Sequence, residues 1–295
     1  MIAASLLLEK ATPLHKSIFY APRGFLIDYE DQKLLSFFTE QVKNYVKNHD
    51  GFFLKIDPYI LYQERNNKGE IIKDGKNNQV VVDQLKKLGY KHFGFTKMNE
   101  TLQPRWMFVL DLKNKDKNEI QKNFDSKTKR ILKKNAKMLI EVRELTKEEL
   151  PIFKEIMQST SNRREFIDRP LSYYENMWNT FHDQGYLKIM VAQLPVTKYI
   201  KTLKQEKKQI KQEIEERKER KEHESVNEAK YELKQKEATE KCQKIEKQLE
   251  EMQELEKEYG QTIILGGMLF LLYGKEIVFL MGGSFEQFLH FQSSY

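Results

Sequence analysis

The chain has 295 residues, 39% of them hydrophobic and 32% charged, with a formal net charge of +7. That length is enough for about two domains, and the basic balance favours anionic partners such as nucleic acid, phosphate groups or an acidic membrane face. A single cysteine, Cys242, excludes a disulfide framework within the chain. The longest apolar run, Thr262 to Tyr273, is too short to cross a bilayer, and no basic residues precede the opening apolar run as a signal peptide requires. A cytoplasmic protein is the expectation.

Met1 to Leu8 reads as an element whose upstream partner is absent, and Ser17 to Tyr20 as a short strand. Apolar residues at Leu34, Leu35, Phe38, Val42, Tyr45 and Val46 predict an amphipathic helix entered through Asp28 or Asp31. "GFFLKIDPYI" (51–60) predicts a strand closed by Asp57-Pro58. Asn66 to Asn78 reads as a surface loop. "QVVVDQLKKLGYKHFG" reads as a helix, a glycine stop and a turn into a strand. "RWMFVLDL" (105–112) predicts a strand, Asn118 to Lys137 one strongly basic helix, and "LIEVREL" (139–145) another strand. Helices follow near Lys147–Ser161 and Ser172–Asp183, then a strand over 187–194.

Next comes a charged block. Ile200, Leu203, Ile210 and Ile214 form one apolar set, and Ala238, Cys242, Ile245, Leu249, Met252, Leu255 and Tyr259 a second at three-and-four spacing. That is the pattern of a coiled-coil seam. "HESVN" (223–227) is the weakest helical stretch between them, so two antiparallel helices with a turn there are expected, inserted into a sheet domain as an arm. The arm is open to two readings: a solvated hairpin used for stability or self-association, or a lever that touches a large partner. A β-hairpin around Gly274-Lys275 completes the chain.

No P-loop, dinucleotide fingerprint, metal signature or nucleophile elbow is present, and the six histidines do not cluster. No metal ion and no cofactor is expected. An acyl-CoA acetyltransferase would need a glycine-rich turn to cradle pyrophosphate; Gly282-Gly283-Ser284 is the nearest and weakest candidate.

Taken in order, "FYAPRGFLIDYED", "FFLKIDPYI", "LGYKHFGF…QPRWMFVLDL", "FDSKTKRILKKNAKMLIEVREL", "STSNRREFIDRPLSYYENMW", the charged helical hairpin and "GGMLFLLYGKEIVFLMGGS" resemble the Fem/MurM family of tRNA-dependent peptidoglycan aminoacyltransferases. The resemblance runs from about residue 5 to 288; the ordered set carries it, and no single motif would. It implies an α/β (α+β) chain of two N-acetyltransferase-like domains with an inserted antiparallel coiled-coil arm. The corresponding division is 1–137, then 138–197 with 259–295, with the arm at 198–258. The implied donor is aminoacyl-tRNA. The implied acceptor is a lipid-linked or UDP-linked muropeptide, with peripheral contact at the inner membrane face for a lipid-linked one. An arm that folds back on itself implies a monomer.

By the same resemblance Arg169, heading "RPLSYY", falls where a phosphate-binding arginine is expected, with Tyr173 one helical turn on. Asp57 falls at a substrate-site aspartate, and Phe52 stands where a tyrosine is expected. A surface arginine and a strand-terminal turn residue are the plainer readings of Arg169 and Asp57. Arg130, Lys133, Lys134 and Lys137 share a face of the basic helix and suit tRNA phosphates, or else are a solvated face. Arg23, between Pro22 and Gly24, either projects to bind an acidic group or order the site, or pairs with the Asp28–Asp31 cluster. No catalytic residue is visible, and aminolysis of an activated ester requires no dedicated base.

The chain departs from the family pattern at both ends: upstream strands and an acceptor-binding lysine would precede Met1, and "LHFQSSY" leaves the pattern early. The expectation is a truncated copy with both domains incomplete, poorly soluble and with little or no activity. The alternative function is a non-catalytic coiled-coil interaction protein derived from the family, dimerising through Ile245, Leu249 and Met252.

Overall fold

A computed structural model describes residues 2–13, 15–95, 103–223 and 227–294. The chain falls into two compact units, Met1–Asp111 and Leu112–Tyr295, each with its own sheet.

The first unit is built on a three-stranded sheet in the order β1 (Leu8–Ala11), β2 (Ser17–Ala21), β3 (Gly51–Ile56). β1 runs antiparallel to β2, and β2 parallel to β3. Parallel neighbours need a crossover, and α1 (Gln32–Asn48) supplies it. Asp31 caps α1 by accepting from the Leu34 N–H, and Leu35, Thr39, Val42 and Val46 form its buried face. With Phe19, Ala21, Phe25, Tyr29 and Val81 of α2 (Gln79–Lys87), these make the first core.

Three expectations fail here. The opening strand is Leu8–Ala11, not Met1–Leu8; Ala4 makes only an isolated bridge to Leu26. Residues 105–112 form no strand, nor do 91–95 after the glycine stop. Phe108, Val109 and Leu110 are exposed and lie outside both sheets. An apolar run becomes a strand only where a neighbour takes its backbone N–H and C=O groups.

The second unit carries a fully antiparallel sheet: β4 (Glu141–Glu144), β5 (Leu187–Leu194), β6 (Ile263–Tyr273) and β7 (Glu276–Ser284), in that order. The expected single basic helix is two: α3 (Lys117–Lys122) and α4 (Ser126–Lys137). Asp125 breaks it by turning extended and accepting from the Thr128 N–H and hydroxyl, which caps α4. α5 (Leu150–Arg164) and α6 (Leu171–Phe181) pack on the sheet through Phe153, Met157, Tyr174, Met177 and Trp178.

Gly282-Gly283-Ser284 is no anion cradle. It lies in β7, where Gly283 pairs with Gly267 of β6. A Cβ on Gly283 would overlap the Thr160 side chain of α5, and one on Gly267 would lie 3.1 Å from Phe153. The paired glycines let α5 sit close to the sheet. Gly283→Ala is expected to destabilise the fold by about 1–3 kcal/mol through overpacking, read as a lower urea midpoint, and Thr160→Ala in the same chain should recover part of it.

Between β5 and β6 run α7 (Val196–His223) and α8 (Glu228–Tyr259). The ion pairs Glu206–Lys241, Lys207–Glu246 and Lys221–Glu228 set them antiparallel. Ile200, Leu203 and Ile210 face Ala238, Cys242, Ile245, Leu249 and Met252 in one buried seam. That seam continues into Leu194, Ile263, Leu265, Phe288 and Phe291 at the base. The turn expected at 223–227 falls largely on 224–226, outside the described residues. No described helix is long and apolar enough to cross a membrane.

Candidate functional site

In the first unit Ala21-Pro22-Arg23-Gly24 is a β-turn, closed by the Gly24 N–H donating to the Ala21 carbonyl at 3.0 Å. Pro22 presets its first corner. The second corner needs a left-handed backbone, normally a glycine's position, yet Arg23 holds it at φ 62°. Gly24 follows at φ 76°, and a Cβ there would meet the Tyr29 hydroxyl at 2.6 Å and Pro58 Cα at 2.7 Å. The turn is pressed against Asp57-Pro58-Tyr59 at the end of β3.

Both backbone groups of Arg23 are taken by that segment. Its N–H donates to Asp57 Oδ1 at 2.6 Å, and its carbonyl accepts from the Tyr59 N–H at 3.1 Å. The Tyr20 hydroxyl donates to Asp57 Oδ2 at 2.6 Å. Burial and that bond to Asp57 push the Tyr20 phenol up to about 12, so it stays a donor at neutral pH. The Arg23 guanidinium lies 5.0 Å from the Tyr59 ring centroid. The acidic cluster is engaged elsewhere: Asp28 accepts from the Glu30 N–H and Asp31 caps α1.

Phe52 is not part of this group. It is the extra residue of a bulge near the start of β3, where Ser17 pairs with Gly51 and Ile18 with Phe53. Its ring is exposed and packs edge-on against Phe53. Five residues of strand, on the order of 16 Å, separate it from Asp57.

The second unit holds a similar arrangement in the loop between α5 and α6. Asp168, its side chain only 3% exposed, accepts from the Arg169 N–H at 2.7 Å, from the Tyr174 hydroxyl at 2.7 Å, and from Lys154 of α5. Burial is the largest influence and would raise the Asp168 pKa. The bonds from Lys154, Tyr174 and the Arg169 N–H outweigh it and hold the carboxyl below its ordinary value. Burial and Asp168 push the Tyr174 phenol well up. Arg169 is exposed, its guanidinium 5.6 Å from the Tyr173 ring centroid. Arg169 and Tyr173 are thus brought together, while Asp168, Lys154 and Tyr174, which hold them, were missed from sequence, as were Tyr20 and Tyr59.

On α4, Arg130, Lys133, Lys134 and Lys137 line the exposed face, opposite buried Ile131 and Asn135. Lys134 donates to the His290 carbonyl at 3.4 Å. An open groove of about 790 Å³ on the helix pair has mixed charge, lined by Lys204, Lys207, Lys208 and Lys211 together with Glu215, Glu246 and Glu250. Among the described residues no three His, Cys, Asp or Glu side chains gather as a metal site would require.

A sequence profile of the FemAB family matches residues 1–295. The chain belongs to the FemAB family. Aminoacyltransferase FemA of Staphylococcus epidermidis is 34% identical over 298 residues, an alignment that takes in all of this chain and 70% of that protein. Aminoacyltransferase FemA of Staphylococcus aureus strain bovine RF122 / ET3-1 is 35% identical with the same coverage. The crystal structure of FemX superposes with a TM-score of 0.71 at 26% identity, covering 99% of this chain and 70% of that one. By family resemblance this FemAB chain is an aminoacyltransferase, and its mixed α/β architecture is that of FemX.

Proposed function

We infer that this FemAB chain forms interpeptide bridges in peptidoglycan, moving an amino acid from aminoacyl-tRNA to the side-chain amine of a stem peptide on a lipid- or UDP-linked muropeptide. The observation that carries this is the match along the whole chain to FemA aminoacyltransferases. In the reaction the acceptor amine attacks the ester carbonyl, the tetrahedral oxyanion collapses, and the ribose hydroxyl of tRNA leaves with the proton the amine gives up. The ester is already activated, so positioning does most of the work.

Arg169 and Tyr173 serve this reading as the anchor for acceptor phosphate. A guanidinium offers a planar fork to two oxygens, and Tyr173 and Asp168 restrict where that fork lies. Arg23 and Asp57 belong to the acceptor side as well, and Phe52 to its margin. The basic face of α4, Arg130 with Lys133, Lys134 and Lys137, suits the phosphates of tRNA. The antiparallel helices α7 and α8 serve as a coiled-coil arm inserted into the second of two N-acetyltransferase-like domains. The setting is the cytoplasm, at the inner face of the membrane where the acceptor is lipid-linked.

The rival reading, a non-catalytic protein that dimerises through its helices, needs Ile245, Leu249 and Met252 free. They are 4%, 8% and 2% exposed, packed in the seam with α7 of the same chain. That supports a monomer, to be checked by sedimentation. Incubating the purified chain with charged tRNA and either acceptor, beside a full-length FemA as positive control, tests the activity. The match along the whole chain supports a departure from the little or no activity expected from the sequence, and the expected result is a radiolabelled amino acid on the muropeptide. No transfer to either acceptor, with the control active, would remove the reading for this chain.

A further inference from the structure

The two units hold one device in two copies. A carboxylate, Asp57 or Asp168, accepts from a tyrosine hydroxyl and from the backbone N–H of an arginine. The arginine's guanidinium then rests against a second tyrosine, Tyr59 or Tyr173. In the first copy the arginine occupies a left-handed corner that a glycine would hold without strain. Backbone strain persists where the surroundings over-determine it, and it gathers at binding sites. Here Asp57 Oδ1 and the Tyr59 N–H fix both backbone groups of Arg23. Among the described residues no carboxylate pairs with its guanidinium.

We propose that Arg23 and Tyr59 form a second oxyanion-binding subsite, for a phosphate or carboxylate of the acceptor, and that Asp57 and Tyr20 are positioning residues that hold it in place. Asp57 spends one oxygen on Tyr20 and the other on Arg23, so its contribution to binding passes through the arginine. The assignment of the oxyanion to the acceptor rests on the proposed transferase reading; binding at Arg23 does not.

The test uses the full chain carrying Arg169→Ala, so that the copy in the second unit is silent. Inorganic pyrophosphate is titrated in one arm and N-acetylglycine in the other, by calorimetry, with melting followed in parallel. At least one probe is expected to bind; pyrophosphate assigns the subsite to phosphate, N-acetylglycine to carboxylate. Arg23→Gly should weaken that binding at least tenfold with the melting temperature held or raised, because the left-handed corner then suits its residue. Asp57→Asn, or Tyr20→Phe should the asparagine variant not fold, should weaken binding while Arg23 is present and add nothing in the Arg23→Gly chain. Unchanged binding in Arg23→Gly, or no binding of either probe, overturns the subsite. Additive losses from Asp57 and Arg23 overturn the positioning role. An inactive transferase that keeps the binding pattern refutes only the function proposed above.

Discussion

Arg169→Ala is expected to raise the KM for the muropeptide acceptor by about 10- to 100-fold, the loss that follows from removing a charge-assisted bond worth about 1.5–3 kcal/mol. The fold should hardly register the change. The Arg169 N–H, which ties the loop to Asp168, survives in alanine, and only an exposed cation–π contact with Tyr173 is lost, about 0.5–1 kcal/mol. Arg169→Lys keeps the charge but not the planar fork, so it should recover only part of the affinity. Steady-state kinetics with the acceptor varied and charged tRNA saturating would read this directly. A fall in kcat with KM unchanged would mean that Arg169 acts on the transition state or the fold, and that the phosphate anchor lies elsewhere.

The resemblance in sequence points to Arg169 and Tyr173 but not to the groups that hold them, and the reason is one of distance along the chain. Both carboxylates lie in similar short stretches, Ile56-Asp57-Pro58 and Ile167-Asp168-Arg169-Pro170. The tyrosines that donate to them sit 37 residues upstream in one case and 6 downstream in the other. No spacing rule joins such pairs; only the β2–β3 pairing and the α5–α6 packing do. The flanking proline and glycine single out Arg23, yet its backbone conformation depends on Asp57, which sequence places far away. Family position groups Phe52 with Asp57, and the length of β3 separates them.

Elements whose partners are local were more legible than those whose partners are distant. Strand β5 and the β6–β7 hairpin lie where alternation and Gly274 put them, and most of the expected seam residues of α7 and α8 are buried, with Ile214 and Leu255 only partly covered and Tyr259 exposed. The failures share a cause. The side-chain pattern of 105–112 says which residues want cover, not whether a strand edge is available to give it. The break between α3 and α4 comes from a side chain competing for the backbone: Asp125 offers Thr128 a bond that continuous helix would deny it. The glycines of β7 were read for what their backbone could bind, whereas α5 and its Thr160 need the missing side chain.

Asp168→Asn should produce the largest loss of stability among the changes considered, and one that depends on pH. The side chain of Asp168 is 3% exposed and that of Lys154 24%, so the variant leaves a largely enclosed ammonium without its anion. Breaking a buried pair costs about 3–5 kcal/mol, and the solvent reached by Lys154 places the expected loss near the lower end, about 3 kcal/mol at neutral pH. Because the folded pKa of Asp168 lies below its ordinary value, its contribution is complete above the unfolded carboxyl pKa of about 3.9. It is lost as pH falls through the lower, folded value. Wild type and variant should therefore differ most between pH 5 and 8 and converge below about pH 4, as measured by urea midpoints across that range. A gap that stayed constant down to pH 2 would show that asparagine disturbs packing around Tyr174, and that the Lys154–Asp168 charge pair does not hold the Arg169 loop. Acceptor affinity should follow the same trend in the variant, because the backbone bond that fixes Arg169 ends on the carboxylate being replaced.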